Sequence, residues 1–313
     1  MSKAIVIKVG GSFFADLMNS SNSATNSVTN SVTNSATNSA TNSETNSHSE
    51  TNNLENATGP AILLHAIAHL QAKGQPVVLV HGGGEQVLKR LADLGIESTR
   101  IKGLRVTPDA HMPIVCGVLA GELNKQLVAT AAQYSVNAVG ISLADGQLAL
   151  CHEISPELGA VGEPTAHNPD LLKALFSANI VPIVASIGKD SQGRLYNVNA
   201  DHAAICIAEL LDTELFFFAD VGGVLDANKQ VIAEICQNSF EHLVRQQVIT
   251  DGMIIKVEAA LQAATKIQQP VTIASWEHSY QLLVEHQQYG TQAMPNAPLC
   301  LKKHDEKDAP SHV

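Results

Sequence analysis

The chain has few basic residues. Its 313 residues include 19 Lys and Arg against 30 Asp and Glu, which gives a net charge of −11. A broad surface for nucleic acid or for an anionic membrane is therefore not expected. No apolar run has the length that spans a bilayer, and the start, MSKAIVIK, leads into a strand without the layout of a signal peptide. We expect a cytoplasmic protein with neither nucleic-acid nor membrane partners.

Cysteine is also scarce. There are five, an odd number at wide spacing, and four of them lie in segments with apolar periodicity. This pattern does not predict a disulfide framework, and we interpret the five as reduced core residues of a cytoplasmic protein. They are Cys116, Cys151, Cys206, Cys236 and Cys300.

Several common nucleotide and hydrolase motifs are missing. No Walker A string occurs, and no Gly-x-Gly-x-x-Gly stands in the strand-to-helix context of dinucleotide binding. The string HGGG at 81–84 is compatible with the oxyanion hole of an α/β-hydrolase, but the nearest nucleophile elbow, Gly140 to Ala144, ends in alanine instead of glycine. His65 and His69 have the spacing of a zinc-binding helix without its glutamate. The sequence thus disfavours a hydrolase, and no metal-ligating residues are predicted.

Two glycine-rich turns are the most informative feature present. The apolar run IVIKV ends in the pair Gly10-Gly11, and the run VVLVH ends in the triplet Gly82-Gly83-Gly84. Glycine lets the main chain approach an anion closely, and a following helix adds its positive dipole end. Two such turns, with Lys8 in the first strand, predict a site for phosphates.

Strand and helix patterns alternate along the chain. They predict an α/β protein, a three-layer αβα sandwich around a mainly parallel central sheet in two lobes. Ligands of such sheets lie beyond the carboxyl ends of the strands, where both glycine turns fall. A hairpin is expected over 98–107. Helices are predicted over 60–73, 84–94, 109–134, 170–178, 200–211, 239–247, 252–266 and 277–286, and strands over 76–80, 138–142, 147–152, 180–185, 214–219 and 271–274.

A low-complexity insertion interrupts this pattern. Residues 22–49 repeat a four-residue unit rich in Asn, Ser and Thr, and we expect the whole insertion 19–58 to be a disordered loop without chemistry. It follows the first glycine turn, and a loop of this length is thermodynamically tolerable. The rest of the chain divides into a lobe over 1–211, a lobe over 212–294 and a flexible tail over 295–313.

Polar residues also stand where later strands should end. In YNVNAD, Asn199 is expected to cap the helix over 200–211, which leaves Asn197 and Asp201 as candidate site residues. FFFADVGGVLD is a third strand that ends in an acid and paired glycines. From the pattern alone, Arg105 and Lys256 fit either a binding site or an ordinary surface.

Taken in order, these motifs resemble the amino acid kinase family, and within it the branch that phosphorylates N-acetyl-L-glutamate. GLRVT together with NVNAD separates this branch from relatives that phosphorylate glutamate, aspartate, carbamate or UMP. The resemblance covers residues 1–18 and 59–294. The matching strings are IVIKVGGS, VVLVHGGG, KGLRVTPD, LAGELNKQL, VASIG, NVNADHAA, FADVGGVLD, ITDGMIIKVEAAL, IASW and YGTQAM.

The resemblance implies transfer of the γ-phosphoryl group of ATP to the side-chain carboxylate of N-acetyl-L-glutamate, in arginine biosynthesis. It implies that Lys8 and Lys256 stabilise the transferring phosphoryl group and that Asp201 orients both lysines. The N-terminal lobe would hold the acetylated amino acid and the C-terminal lobe ATP. The implied substrate-binding residues are Gly83, Gly84, Arg105 and Asn197.

The resemblance also implies a nucleotide region, with Mg²⁺ bound mainly through the phosphates. Arginine-inhibited relatives carry an extra N-terminal helix that joins dimers into a hexamer. This chain starts at its first strand, which predicts an arginine-insensitive homodimer with the helix over 109–134 as a candidate dimer surface. The implied nucleotide-binding residues are Gly10, Gly11, Asp220, Val221, Gly222, Gly223, Val224, Leu225, Val248, Ile249 and Thr250.

Two alternatives remain open at this point. In the first, the phosphoryl acceptor is another N-blocked acidic amino acid such as acetylaminoadipate. The sequence does not give the length of the substrate pocket, so it does not distinguish the two acceptors. In the second, the protein is a catalytically silent sensor that binds the ligands without transfer, although Lys8, Lys256 and Asp201 are all present.

Overall fold

The computed structural model describes residues 2–17, 59–101 and 103–295. The predictions for the insertion 19–58, for Cys300 and for the tail beyond residue 295 lie outside these residues. The described chain forms a large sheet of eight strands, a second sheet of four and a two-stranded hairpin. Apolar cores lie on both faces of the large sheet, so the predicted three-layer α/β architecture is confirmed.

The large sheet has the order β12-β14-β13-β11-β1-β2-β8-β5. Its strands from β13 to β5 are mutually parallel, and β14 runs antiparallel to β13. The prediction of a mainly parallel sheet is thus confirmed. The strands are β1 (Ile5–Val9), β2 (Val77–His81), β3 (Arg100–Ile101), β4 (Leu104–Arg105), β5 (Ala138–Ser142), β6 (Ala149–Glu153), β7 (Val161–Ala166), β8 (Val181–Ala185), β9 (Ile187–Lys189), β10 (Leu195–Val198), β11 (Leu215–Ala219), β12 (Glu234–Ile235), β13 (Val271–Ser275) and β14 (Thr291–Ala293).

Most helices lie within two residues of their predicted bounds. A π-helix, Gly117–Leu123, joins α4 to α5 within the predicted helix 109–134, and a 3₁₀ turn, Asp109–His111, begins it. No helix of the described ranges is both long and apolar enough to cross a membrane. The helices are α1 (residues 11–17), α2 (Pro60–Ala72), α3 (Gly84–Asp93), α4 (Met112–Cys116), α5 (Asn124–Gln133), α6 (Asp170–Ser177), α7 (Ala200–Leu211), α8 (Gln237–Arg245), α9 (Asp251–Ile267) and α10 (Ser279–Leu283).

The prediction of a helix over 277–286 is wrong in its extent. A 3₁₀ turn, Trp276–His278, leads into the short α10 instead. The backbone of His286 has a φ of 54°, in the left-handed region. A right-handed helix does not continue through such a residue, so this segment ends early.

The two cores follow from strand alternation. In β1, Val6 packs into one core, while Ile7 and Val9 pack into the other. Helices α7 and α9 contribute to the first core, and α2, α4 and α5 contribute to the second. Because successive side chains of a strand point to opposite faces, the apolar residues of β1 need a cover on both sides of the sheet.

The second sheet was only partly predicted. It has the order β6-β7-β10-β9, and the sequence pattern identified β6 but not β7 or β9. The β7 string, VGEPTA, contains Gly162 and Pro164, which interrupt an alternating strand pattern. A methyl group on Gly162 would lie 2.7 Å from Tyr196 Cβ, so close packing against β10 requires glycine there. This sheet holds β10 directly before α7.

Arg194 ties the second sheet to the start of the long helical segment. Its guanidinium lies 2.5 Å from Glu153 Oε2 and 3.0 Å from Asp109 Oδ1, and it stacks over the ring of Tyr196. The hydrogen bonds that Arg194 donates to Glu153 and Asp109 raise the pKa of Arg194 above its ordinary value. Single exposed pairs stabilise by only about 0–1 kcal/mol, but here one cation joins three elements.

The described cysteines largely match the prediction of core residues. Cys151, Cys206 and Cys236 are buried, and Cys116 is partly exposed. Burial raises the pKa of the Cys151 and Cys206 thiols to about 12. These two thiols therefore stay protonated and unreactive at neutral pH.

Candidate active site

Three strand ends meet along one edge of the large sheet. β11, β1 and β2 are adjacent and parallel, and Val9 pairs with both Phe218 and His81. The residues that follow these strands therefore lie side by side: the Gly10-Gly11 turn, the Gly82–Gly84 turn and the turn that begins at Asp220. This is the edge at which parallel sheets bind ligands.

Lys8 places a cation at the first of these turns. Its Nζ lies 2.7 Å from Asp201 Oδ1 and 5.8 Å from the ring centroid of Phe217. Its side chain is only 18% exposed. A methyl group on Gly10 would lie 3.8 Å from the same Nζ, so the ammonium group lies at the glycine turn itself.

The start of α7 joins the first two turns. Asn199 caps this helix as predicted, because its Oδ1 accepts a hydrogen bond from the Asp201 amide at 2.7 Å. Asp201 lies in the first turn, where the helix dipole stabilises a carboxylate. A methyl group on Gly82 would lie 3.0 Å from Ala200 Cβ, so α7 begins directly against the second glycine turn.

Lys256 of α9 does not contact Asp201. Its Nζ lies 3.5 Å from Asp220 Oδ1, and its side chain is 43% exposed. The expected bridge from Asp201 to both lysines is therefore absent among the ion pairs of the described residues. The physical reason is the strand order: Asp220 directly follows β11, the neighbour of β1, and supplies the carboxylate on the side from which α9 approaches. Both lysines still lie at adjacent strand ends.

Gly83 combines a backbone conformation and a packing that exclude a side chain. Its φ is 155°, and a methyl group would lie 2.2 Å from Leu123 Cδ1 and 2.9 Å from Leu119 Cδ2. Both leucines belong to the π-helix, and π turns are frequent at functional sites. Gly83 is the N-cap of α3, whose first amides have no acceptor within the helix. These amides are available for an anion.

Arg105 lies next to this helix start and is buried. It is 7% exposed, its Nη2 donates to the Gly84 carbonyl at 2.5 Å, and its Nη1 donates to Ser98 Oγ. Burial, and to a smaller extent the charge of Arg100, lower the pKa of Arg105 below its ordinary value. The alternative of a surface arginine in a hairpin is therefore wrong, although the predicted hairpin itself is present as β3 and β4.

A buried threonine connects Arg105 to Asn197. Thr107 is fully buried, its Oγ1 donates to the Arg105 carbonyl at 3.1 Å, and it accepts a hydrogen bond from Asn197 Nδ2 at 3.1 Å. The structure thus brings the predicted substrate residues Gly83, Gly84, Arg105 and Asn197 into one connected group. Sequence reasoning did not single out Thr107, whose place in the string GLRVT was its one signal.

His81 and Asn124 form a buried pair beneath the second glycine turn. The fully buried His81 lies with Nδ1 at 2.8 Å from the Gly82 carbonyl and Nε2 at 3.1 Å from Asn124 Nδ2. Asn124 also donates to the Ile183 carbonyl at 2.9 Å. This geometry requires a neutral ring with its proton on Nδ1. Sequence reasoning missed Asn124, although a polar residue between Leu123 and Leu127 of an apolar stripe was a usable signal.

Folding stability should fall in acid because of His81. Burial lowers the pKa of His81 from 6.5 to about 4, against a smaller opposing effect of the Gly82 carbonyl. In the unfolded chain His81 therefore binds a proton below about pH 6.5, whereas in the folded chain it binds one only near pH 4. We expect His81 to remove about 3 kcal/mol of unfolding free energy between these pH values. Urea unfolding of the wild type and of His81→Asn at pH 7 and pH 4.5 measures the difference.

The matched control is His242→Asn on the exposed face of α8. It should keep the pH dependence of the wild type, whereas His81→Asn should be less stable at pH 7 and lose less on acidification. Parallel pH curves for wild type and His81→Asn would contradict the assigned pKa.

The third glycine turn is held by the last strand of the sheet. Gly223 has a φ of 142°, and a methyl group there would lie 2.9 Å from Val231 Cγ1. The Val224 amide donates to Thr291 Oγ1 at 2.8 Å. Leu225 is 45% exposed, so this turn presents an apolar side chain beside the strand end that carries Asp220.

The predicted nucleotide segment 248–250 leads into α9. Ile249 is buried, Val248 is partly buried, and Thr250 is exposed at the N-cap position of α9. The Met253 amide donates to the Thr250 carbonyl at 3.1 Å. This segment therefore sets the direction of the helix that carries Lys256.

A second ion pair lies beside Asp201. His202 Nδ1 lies 2.5 Å from Glu163 Oε2 of β7. The hydrogen bond to Glu163 raises the pKa of His202, although burial opposes it. Burial alone would raise the pKa of Glu163, but the hydrogen bond and charge of His202 lower it overall. The pair fastens the first turn of α7 to the second sheet.

The histidines with zinc-like spacing belong elsewhere. The His65 ring packs edge-on against Tyr134, and the His69 ring packs edge-on against Tyr280. Over the described ranges, no group of three His, Cys, Asp or Glu side chains is arranged to hold a metal ion.

Comparison with known proteins assigns the chain to a family. The profile of the amino acid kinase family matches residues 54–275. The acetylglutamate kinase of Vibrio cholerae is 44% identical over 236 residues, 74% of this chain and 90% of that protein. That of Pasteurella multocida is 46% identical over 221 residues, 70% of this chain and 86% of that protein.

Among solved structures, carbamate kinase from Giardia lamblia bound to AMP-PNP has a TM-score of 0.52 at 16% identity, over 94% of this chain and 99% of that one. At this identity the likeness concerns the fold alone. The family profile goes further, since its matched range contains the described site apart from Lys8 and the Gly10-Gly11 turn. The chain therefore belongs to the amino acid kinase family, among its acetylglutamate kinases.

Proposed function

We propose that the protein transfers the γ-phosphoryl group of ATP to the side-chain carboxylate of N-acetyl-L-glutamate, which yields an acyl phosphate and ADP in arginine biosynthesis. Its similarity to curated acetylglutamate kinases supports this activity. The observation that carries it is the placement of Lys8, with Asp201, and of Arg105 along one sheet edge lined by glycine turns. Two anionic reactants need such an arrangement of cations and amides.

The proposed chemistry is charge stabilisation without proton transfer. A carboxylate is already ionised at neutral pH, so no general base is required, and the obstacle is the repulsion between the acceptor and the phosphoryl oxygens. We assign Lys8 to the transferring phosphoryl group because Asp201 holds its ammonium at the Gly10 turn. We assign Lys256 of α9 to stabilise the negative charge of the same phosphoryl group.

Arg105 is proposed to bind the α-carboxylate of the substrate. Its hydrogen-bond partners are a carbonyl and a hydroxyl, and within the described ranges no carboxylate forms an ion pair with it. A buried guanidinium without a carboxylate is energetically costly, so a ligand carboxylate is its fitting partner. Asn197 and the amides of Gly83 and Gly84 complete the proposed pocket.

ATP is proposed to bind along the neighbouring strand ends. The Gly10-Gly11 turn would face the phosphates, and the segments 220–225 and 248–250 would hold the nucleoside, with Leu225 as an exposed apolar contact. Asp201 and Asp220 are already paired with lysines, which fits Mg²⁺ held through phosphates and water rather than by a protein cage. When bound, Mg²⁺ would screen phosphate charge.

The division into two lobes, the homodimer and the cytoplasmic location also remain proposals. Support for the lobes and the homodimer comes from the resemblance to the family, and support for the location comes from the scarce and largely buried cysteines. The helical segment 109–133 is the proposed dimer surface.

A hydroxamate assay tests the reaction directly. The purified chain is incubated with ATP, Mg²⁺, hydroxylamine and a panel of acidic amino acids, with and without the N-acetyl group. We expect a strong signal with N-acetyl-L-glutamate and little with glutamate. Acetylaminoadipate, one methylene longer, should have a kcat/KM lower by about 10- to 200-fold.

The assay also separates the alternatives. No hydroxamate with any member of the panel, despite measurable binding, would identify a silent sensor. A stronger signal with acetylaminoadipate than with N-acetylglutamate would move the assignment to the longer acid. Omission of ATP serves as the control for non-enzymatic acylation.

A further inference from the structure

A second arginine reaches the start of α3. Arg100 of β3 is exposed, and its Nη1 donates to the Gly103 carbonyl at 2.7 Å, which holds it across the β3–β4 hairpin. Its other terminal nitrogen, Nη2, lies near Gly84 at the start of α3. A methyl group on Gly84 would lie 3.7 Å from Arg100 Nη2 and 3.9 Å from Arg105 Nη2. Two guanidinium groups thus converge on one glycine at a helix N-terminus.

This convergence is unfavourable without an anion. The charge of Arg100 contributes to lowering the pKa of the buried Arg105, which reports repulsion between the two groups. Neither arginine forms an ion pair with any carboxylate in the part of the chain that the structure describes. Glu85, the acid in the first turn of α3, has its side chain at Gly11, where a methyl group would lie 3.7 Å from its Cδ.

We infer that Arg100 is a second binding residue for the α-carboxylate of the acetylated amino acid, which it shares with Arg105. The inference rests on the proposed function and extends it. Arg105 supplies the fixed, buried half of the site, and Arg100 supplies a hydrogen bond from the hairpin at the rim. Two guanidinium groups around one carboxylate select an ionised α-carboxylate against a neutral amide.

The position also argues for the amino acid rather than the nucleotide. Arg100 lies on the hairpin that carries Arg105, and Thr107 links Arg105 to Asn197. The proposed phosphate turn at Gly10 follows a different strand, β1, and lies next to Lys8. Loss of Arg100 should therefore affect one substrate and leave ATP unchanged.

The test compares Arg100→Gln with the wild type on two ligands. One is N-acetyl-L-glutamate, and the other is N-acetylisoglutamine, in which an amide replaces the α-carboxylate and the side-chain carboxylate remains. We expect Arg100→Gln to weaken binding of N-acetylglutamate about tenfold, as for the loss of one charge-assisted hydrogen bond at a partly exposed position. Binding of the amide analogue should change less than about twofold, because the charged partner is already missing.

Arg90→Gln is the matched control, because Arg90 is an exposed arginine of α3 that pairs with Glu122 at 2.8 Å. It should leave both affinities within about twofold. Dissociation constants are measured by calorimetry, and KM is measured by the hydroxamate assay. If the wild type binds N-acetylglutamate without turnover, the proposed function is contradicted, but the dissociation constants still test the role of Arg100. Equal losses for both ligands, a change below twofold for N-acetylglutamate, or a wild type that binds neither ligand would overturn it.

Discussion

Replacing Lys8 by arginine is expected to lower kcat about a thousandfold, while the KM for ATP changes by less than about threefold. The side chain of Lys8 is 18% exposed, and its ammonium group lies between Asp201, Phe217 and the Gly10 turn. A guanidinium is larger and planar, and it would engage Asp201 with two parallel hydrogen bonds. The positive charge of the new arginine would then stay beside the Asp201 carboxylate and away from the transferring phosphoryl group. Steady-state kinetics with varied ATP measure the effect.

The control for this experiment is Lys89→Arg on α3, an exposed lysine that pairs with Asp93 at 3.3 Å. It should retain wild-type kcat and KM. Thermal melting of Lys8→Arg establishes that the variant is folded. A kcat within tenfold of the wild type would remove Lys8 from the catalytic role assigned to it.

Replacing Arg105 by lysine is expected to raise the KM for N-acetyl-L-glutamate about 100-fold, with a smaller change in kcat and none in the KM for ATP. Arg105 contacts the Gly84 carbonyl and Ser98 with two different nitrogens of one planar group. A single ammonium cannot reproduce both contacts and a paired interaction with a carboxylate. The hydroxamate assay with varied N-acetylglutamate gives the KM.

Arg245→Lys on α8 is the matched control, because Arg245 is exposed and pairs with Glu241 at 3.8 Å. Since Arg105 is buried, the melting temperature of Arg105→Lys is measured alongside, and kinetics are compared well below it. A variant in which only the affinity for ATP changed would show that Arg105 does not bind the acetylated substrate.

Much of the site was predictable because its signals are local. A β-branched run followed by glycines identified both strand ends, and the Asn199 cap of α7 was predicted from its position before a helix pattern. The hairpin around Gly103, where φ is 82°, was equally a matter of neighbouring residues. The family resemblance added the roles of Lys8, Lys256, Asp201 and Arg105, and the experiments above test those of Lys8 and Arg105.

Other features could not be predicted, because they join residues that are distant in sequence. The partner of Lys256 was predicted as Asp201 and is Asp220, since the order of the strands decides which carboxylate is within reach. The strand β7 was missed because its Gly162 and Pro164 interrupt the strand pattern in the sequence. They are accommodated only by the packing against β10 and the pairing with β6 in the folded chain. The pair of Arg100 with Arg105 appears only when both side chains meet at Gly84.

The amino-acid sequence by itself determined the α/β alternation, the glycine turns and the caps, since each arises from the torsion preferences and hydrogen bonds of adjacent residues. Only the tertiary structure decided the electrostatics of the edge. It buried His81 against Asn124 and so made the ring a weak base, and it held Lys8 against Asp201. Charge interactions depend on distance and solvent exposure, which are properties of the folded chain.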